Sequence, residues 1–172
     1  MSTSTGPDPA PPVDVALRRA GPHDAPFIRD LARVAYATYV ERIGREPGPM
    51  VDDYERRIAE DECWVASIAD RSLVDSRVVG YLVLRLEPDH MLLDNVAVAP
   101  DQQGRAIGTF LLEFAEERAR AHDREEIRLY THEKMTENIA RYTRLGYVET
   151  HREDQRGFSR VFMTKRLDAT VR

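Results

Sequence analysis

The chain has 172 residues, 42% of them hydrophobic and 32% charged, with a formal net charge of -5, which points to one folded domain and excludes a disordered or fibrous chain. The negative balance argues against nucleic acid as the principal partner, because phosphate neutralisation requires clustered Lys and Arg. Cys63 is the only cysteine, so no intramolecular disulfide can form; with neither a membrane-length apolar run nor a signal-peptide pattern, the expectation is a cytoplasmic protein.

Residues 1–12 read as an extended or mobile tail, rich in Pro, Ser and Gly, and residues 13–172 as one domain. Val13, Val15 and Leu17 alternate with small or polar residues, which predicts a strand from Val13 to Arg19. After a Gly21–Asp24 turn, Asp24 reads as the N-cap of a first helix, with Pro26 in its first turn and Ile28, Leu31 and Ala35 on one face; that helix is expected to reach about Tyr39. The Gly and Pro of residues 41–49 forbid a regular element. Val51, Tyr54 and Ile58 recover a helical period, predicting a second helix over Met50–Glu60. Strands follow at Cys63–Ile68, Val78–Leu86 and Met91–Ala99, the first two separated by a polar turn from Asp70 to Arg77. A helix over Ala106–Ala121, a short strand Ile127–Thr131 and a helix Met135–Leu145 stopped by Gly146 come next. Tyr147–His151 and Phe158–Leu167 form a closing antiparallel pair around residues 152–157. The order βααβββαβαββ describes an α/β (α+β) fold, a mixed sheet with helices on its faces.

The stretch from Leu92 to Thr109 carries the most information. A strand runs into a small-residue loop, Gln103-Gly104-Arg105-Ala106-Ile107-Gly108, and the loop opens a helix. The first amides of a helix lack intrahelical partners and carry about half a positive charge, so bare backbone there suits a phosphate or diphosphate. Taken alone, such a turn is equally well explained by tight strand–helix packing. It is neither a Walker loop nor a G-x-G-x-x-G fingerprint. In Met135–Tyr147, Asn138 and Tyr142 lie one turn apart on one helix face; an isolated tyrosine there reads first as a core residue, and second as one aimed at a ligand.

Together, the two stretches resemble the GCN5-related N-acetyltransferases. Gln103–Gly108 is similar to that family's Q/R-x-x-G-x-G/A acetyl-coenzyme A signature, and Asn138, Tyr142 and Leu145-Gly146-Tyr147 to its second motif. The likeness runs from Leu17–Ala25 to the last strand, and Arg42-Ile43-Gly44-Arg45, Pro49-Met50 and Asp53-Tyr54 resemble a bacterial branch whose acceptors are unassigned. Two departures stand out. Ala106 occupies the first Gly position, where its methyl is accommodated if φ is negative. Met135 stands where the family usually has Asn, and Asn138 comes a turn later.

The resemblance implies a mostly antiparallel sheet of about seven strands with four flanking helices, the fourth strand splayed from the fifth around the pantetheine of acetyl-coenzyme A. It implies cofactor contacts from Val96, Ala97 and Val98, from Gln103, Gly104, Arg105, Ala106, Ile107, Gly108 and Thr109, and from Asn138. Tyr142 matches the general acid, and Asp94 is the first choice of base, with His132 and Glu133 as rivals. The implied reaction is acetyl transfer to an amine, on a small molecule or peptide, within a ternary complex. Acceptor selection is expected from residues 41–50 and 152–157, with Arg42 and Arg45 either gripping an acceptor carboxylate or pairing with Glu41 and Glu46. Cys63 reads as small packing, and the scattered histidines give no metal-ligand spacing. A non-catalytic acyl-coenzyme A-binding or sensing module and a toxin-type transferase acting on aminoacyl-tRNA remain as alternatives, and homodimerisation remains open.

Overall fold

The structure, a computed structural model, describes residues 14–69 and 76–168; the expected tail, Val13 and most of the Asp70–Arg77 turn lie outside them. Seven strands form one sheet: β1 (Val15–Arg19), β2 (Glu62–Ile68), β3 (Arg77–Leu86), β4 (Met91–Val98), β5 (Glu126–His132), β6 (Val148–Gln155) and β7 (Phe158–Arg166). Four helices flank it: α1 (Ala25–Ile43), α2 (Tyr54–Glu60), α3 (Ile107–Ala121) and α4 (Thr136–Arg144). The order across the sheet is β1-β2-β3-β4-β5-β7-β6. Every pairing is antiparallel except β4 with β5.

Both faces are covered, so β3 is buried on both sides from Val79 to Leu84 and reads as a continuous apolar run. On one face Ile28 and Ala32 of α1 and Tyr54 of α2 pack against Val65, Tyr81, Val83 and Ala97. On the other, Leu111, Leu112 and Ala115 of α3 and Tyr142 of α4 pack against Leu82, Leu84, Leu93 and Leu129.

Several boundaries move for local reasons. Helix α1 continues four residues past Tyr39 and stops only at Gly44, whose φ of 83° supplies the left-handed cap. Asp24 stands at its N-cap position but makes no cap bond; its carboxylate instead accepts from the Gly21 N–H (2.8 Å) and from the Arg18 guanidinium (2.7 and 2.8 Å). The second helix starts at Tyr54 rather than Met50, because Gly48–Met50 forms a 3-10 turn and the Asp53 side chain caps the Arg56 N–H at 3.0 Å. Strand β6 extends to Gln155 rather than ending at His151. A two-residue connection suffices there: Arg156 and Gly157 both have positive φ, 52° and 79°, the pattern of the hairpin turn whose twist matches the strands.

Candidate active site

Strands β4 and β5 pair only through Met91, Leu92 and Leu93, opposite Ile127, Arg128 and Leu129. Beyond Leu93 they part. The cause lies in the β3–β4 ladder, where Leu84 faces Leu93 and Val83 faces Asn95, so Asp94 has no partner. This bulge bends β4 away from β5. A cavity of about 500 Å³ occupies the gap, with Asp94, Val96, Tyr130, Asn138 and Tyr142 on its walls.

The ladder also determines which way β4 turns its backbone. The Ala99 N–H donates to Val79 C=O at 2.8 Å, and amides alternate sides along an antiparallel strand. Ala97 therefore faces β3, whereas Val96 and Val98 face the gap. Their carbonyls agree: Val96 C=O accepts from the Tyr36 hydroxyl (3.0 Å) and Val98 C=O from the Gln103 amide (3.4 Å). Beneath them Asn95 is buried, sharing the single Tyr36 hydroxyl proton (3.2 Å) with Val96 C=O, accepting from Tyr81 (3.1 Å) and donating to Tyr54 (3.0 Å). Tyr54 donates to the Pro49 carbonyl at 2.7 Å, so one polar network ties the gap-side strand to the loop before α2. The sequence offered no signal for it, because three tyrosines and an asparagine spread over 60 residues share no spacing.

At the end of β4, Pro100–Gln102 makes a 3-10 turn, and Gln103 to Ala106 lead into α3. The helix has no side-chain cap, and its first backbone bond runs from the Phe110 N–H to Ala106 C=O at 3.0 Å. The amides of Ile107, Gly108 and Thr109 thus have no partner among the described residues. Gly104 takes a φ of 79° with open space around it. Ala106 differs from expectation: its φ is 61°, so its exposed methyl sits in a conformation costing about 1–2 kcal/mol for a residue with a Cβ.

Helix α4 brings Tyr142 to the opposite wall. Its ring packs near that of Tyr147, with centroids 5.8 Å apart, but its hydroxyl has no hydrogen-bond partner among the described residues, and burial pushes the phenol up to about 12. Asn138 is half-buried one turn earlier and donates to the Met135 sulfur at 3.6 Å. Asp94 reaches the same cavity from the bulge, 5% exposed. Arg57 meets one of its oxygens at 2.5 Å and the Tyr130 hydroxyl donates to the other at 2.6 Å. Arg57 also meets Asp52 and Asp61, each at 2.9 Å; burial opposes its charge, but these carboxylates outweigh it and raise its pKa.

The rival bases fare differently. His132 lines the cavity, but its Nδ1 accepts from the Lys134 N–H at 3.1 Å. Burial lowers its pKa, so the neutral ring keeps its proton on Nε2 and presents a donor. Glu133 is exposed and outside this cavity. Cys63 is buried, which pushes its thiol up to about 12 and removes it as a nucleophile. Arg42 pairs with Glu137 (2.7 and 2.8 Å), neither gripping the cavity nor meeting Glu41 or Glu46. Arg45 stacks 4.2 Å from the Phe158 ring and donates to the Arg156 carbonyl at 3.3 Å. The loop after α1 and the β6–β7 turn thereby close one side of the cavity. Among the described residues no cluster of three or more His, Cys, Asp or Glu could hold a metal, and no helix is long and apolar enough to cross a membrane.

The profile of the Acetyltransferase (GNAT) family matches residues 27–147. A search of curated proteins found no significant match. Among solved structures, the chain is similar to a GCN5-related N-acetyltransferase from Rhodopseudomonas palustris, at 22% identity and a TM-score of 0.66, covering 92% of this chain and 97% of that one. It is also similar to the PaiA N-acetyltransferase from Thermoplasma acidophilum in complex with coenzyme A (18%, TM-score 0.70, 89% and 99%). A third likeness is to the ribosomal-protein-S18-alanine N-acetyltransferase from Escherichia coli (15%, TM-score 0.69, 91% and 96%).

Proposed function

Since the chain belongs to the GNAT acetyltransferase family, we propose that it uses acetyl-coenzyme A to acetylate an amine, which attacks the thioester while both are bound. One observation carries this reading. The Val96 backbone, whose N–H turns away from β3, and the Tyr142 hydroxyl, which has no hydrogen-bond partner among the described residues, face the same cavity.

The thioester supplies the activated acetyl group; the protein supplies position, charge and proton transfer. Val96 and Val98 hold the pantetheine arm as an additional strand would be held, with Ala97 keeping their spacing through its bond to β3. The Val96 N–H is a preorganised donor for the developing oxyanion, a contribution of about 3 kcal/mol where such donors have been removed. Amides from Gly104 through Arg105, Ala106, Ile107 and Gly108 to Thr109 grip the diphosphate, with the Gln103 N–H turned back to the Pro100 carbonyl, and Asn138 lies along the arm between them. The amine nitrogen bonds to the thioester carbon, the carbon–sulfur bond breaks, and Tyr142 donates its proton to the departing thiolate. Asp94 takes the proton leaving the ammonium, directly or through water. Arg57 and Tyr130 each hold one of its oxygens and so fix the carboxylate at the gap.

The test is a thiol-release assay with acetyl-coenzyme A against amines, amino acids and peptides, beside calorimetry with coenzyme A. Uptake and acceptor-dependent release are expected. No uptake at millimolar coenzyme A would overturn the assignment; uptake without release from any acceptor would leave an acyl-coenzyme A-binding module.

A further inference from the structure

Although the chain carries a net charge of -5, Arg56, Arg57, Arg85, Arg156 and Arg160 all line the cavity, against Asp52 and Asp94. Most of these guanidinium groups are already paired. Arg57 is enclosed by three carboxylates, Arg56 pairs with Glu60 at 3.0 Å, and Arg85 lies 3.7 Å from Asp61. Arg156 has no carboxylate partner among the described residues, but it is exposed, whereas Arg160 is not. Arg160 is half-buried, 4.1 Å over the Tyr130 ring, and donates to the side-chain amide oxygen Oε1 of Gln155 at 3.1 Å. No carboxylate pairs with it among the described residues. Its cross-strand neighbour Glu153 is exposed and accepts from Gln155 instead. A half-buried guanidinium at a cavity wall without a carboxylate partner is placed to meet an anion that enters the cavity.

The same Tyr130 that carries Arg160 on its ring face reaches Asp94 with its hydroxyl. Asp52 and Asp94, the carboxylates on the cavity wall, both rest on Arg57, which also meets Asp61, so this end carries negative charge where an ammonium arrives. The cavity therefore presents a cation-seeking end and an anion-seeking end, joined by one aromatic side chain.

We infer that the acceptor is a zwitterion, an amine that also bears an oxyanion, which Arg160 binds while Asp94 receives the ammonium. This rests on the transferase reading above. A guanidinium fork suits either carboxylate or phosphate, so both are tested.

Using the full chain, kcat and KM are measured by thiol release for the standard amino acids against their α-amides, and for phosphoethanolamine against ethanolamine. The acidic member of at least one series is expected to exceed its neutral counterpart in kcat/KM by about 10–100-fold, the range of a charge-assisted pair. Arg160→Gln should bring that ratio close to one through KM, and Arg160→Lys should restore part of it, with coenzyme A calorimetry confirming a folded site. Equal use of neutral and acidic amines overturns the inference. So does an Arg160→Gln loss that falls equally on both, or absence of turnover across both acidic series while coenzyme A still binds. Failure to bind coenzyme A overturns the transferase reading itself.

Discussion

Tyr142 owes its proposed role to what its hydroxyl lacks. With the residue 8% exposed and its hydroxyl without a hydrogen-bond partner among the described residues, the phenol is pushed up to about 12 by burial, keeps its proton through the whole neutral range and remains available as a donor. Tyr142→Phe is therefore expected to bind coenzyme A normally in calorimetry and to lose about 10²–10⁴-fold in kcat, the usual yield of a positioned acid. The sign of the pH dependence follows: the protonated phenol is the active form, so kcat should rise as the acceptor amine deprotonates and show no descending limb below about pH 10, close to an ordinary phenol's pKa. A fall beginning near neutrality would rule this tyrosine out. Ala106 is the converse case, a side chain present where none is wanted. Its φ of 61° favours glycine, so Ala106→Gly should raise stability by about 0.5–1 kcal/mol after the glycine's extra unfolded-state entropy is subtracted. Thermal denaturation reads this directly, and a fall in Tm would show that the loop is held in place by other contacts.

At the scale of elements, two devices make the cavity. The bulge at Asp94 opens the sheet, and the β6–β7 turn reaches back to meet the loop after α1. A Cβ at Gly157 would stand 2.6 Å from the Arg45 guanidinium, and the residue has a φ of 79°. Gly157→Ala should therefore cost about 1–2 kcal/mol in urea unfolding and raise acceptor KM severalfold. Coenzyme A affinity should hold, since the diphosphate loop lies elsewhere; a loss of both affinities together would mean that the turn supports the whole gap. Elements were legible where periodicity was undisturbed, as in α3 with Ile107, Leu111 and Ala115 on one face. They were misread where a local bond outcompeted periodicity. Asp53 caps α2 late, and Asp24 spends its carboxylate on Arg18 instead of on a helix amide.

Across the whole molecule, two buried or half-buried carboxylates hold helices to opposite faces of the sheet, on β1 and its neighbour β2. Asp24 joins β1 to the start of α1, and the Arg18 guanidinium holds it below its ordinary range. Glu62 on β2 is met by Arg118 of α3 at 2.5 Å and by His122 at 3.1 Å; burial would raise its pKa, but these partners and Trp64 lower it. Groups with depressed folded pKa values stabilise above their unfolded values and lose that contribution as pH falls through the folded ones. Urea-determined stability should therefore be level from neutrality to about pH 5 and fall below about pH 4. Asp24→Asn should cost about 2 kcal/mol at pH 7, with the gap to the unmodified protein closing in acid. A gap independent of pH would assign the loss to packing.

The sequence by itself determined the mixed fold, the strand–loop–helix turn at Gln103–Thr109 and the placing of Asn138 and Tyr142 on one helix face, because these depend on local spacing and backbone freedom. Only the tertiary structure decided that Val96 and Val98 turn toward an open gap, that Asp94 is claimed by Arg57 and Tyr130, and that Arg160 stands without a carboxylate among the described residues. Those outcomes depend on a one-residue slip between paired strands and on contacts between residues 30 or more positions apart, and local sequence patterns carry no record of either.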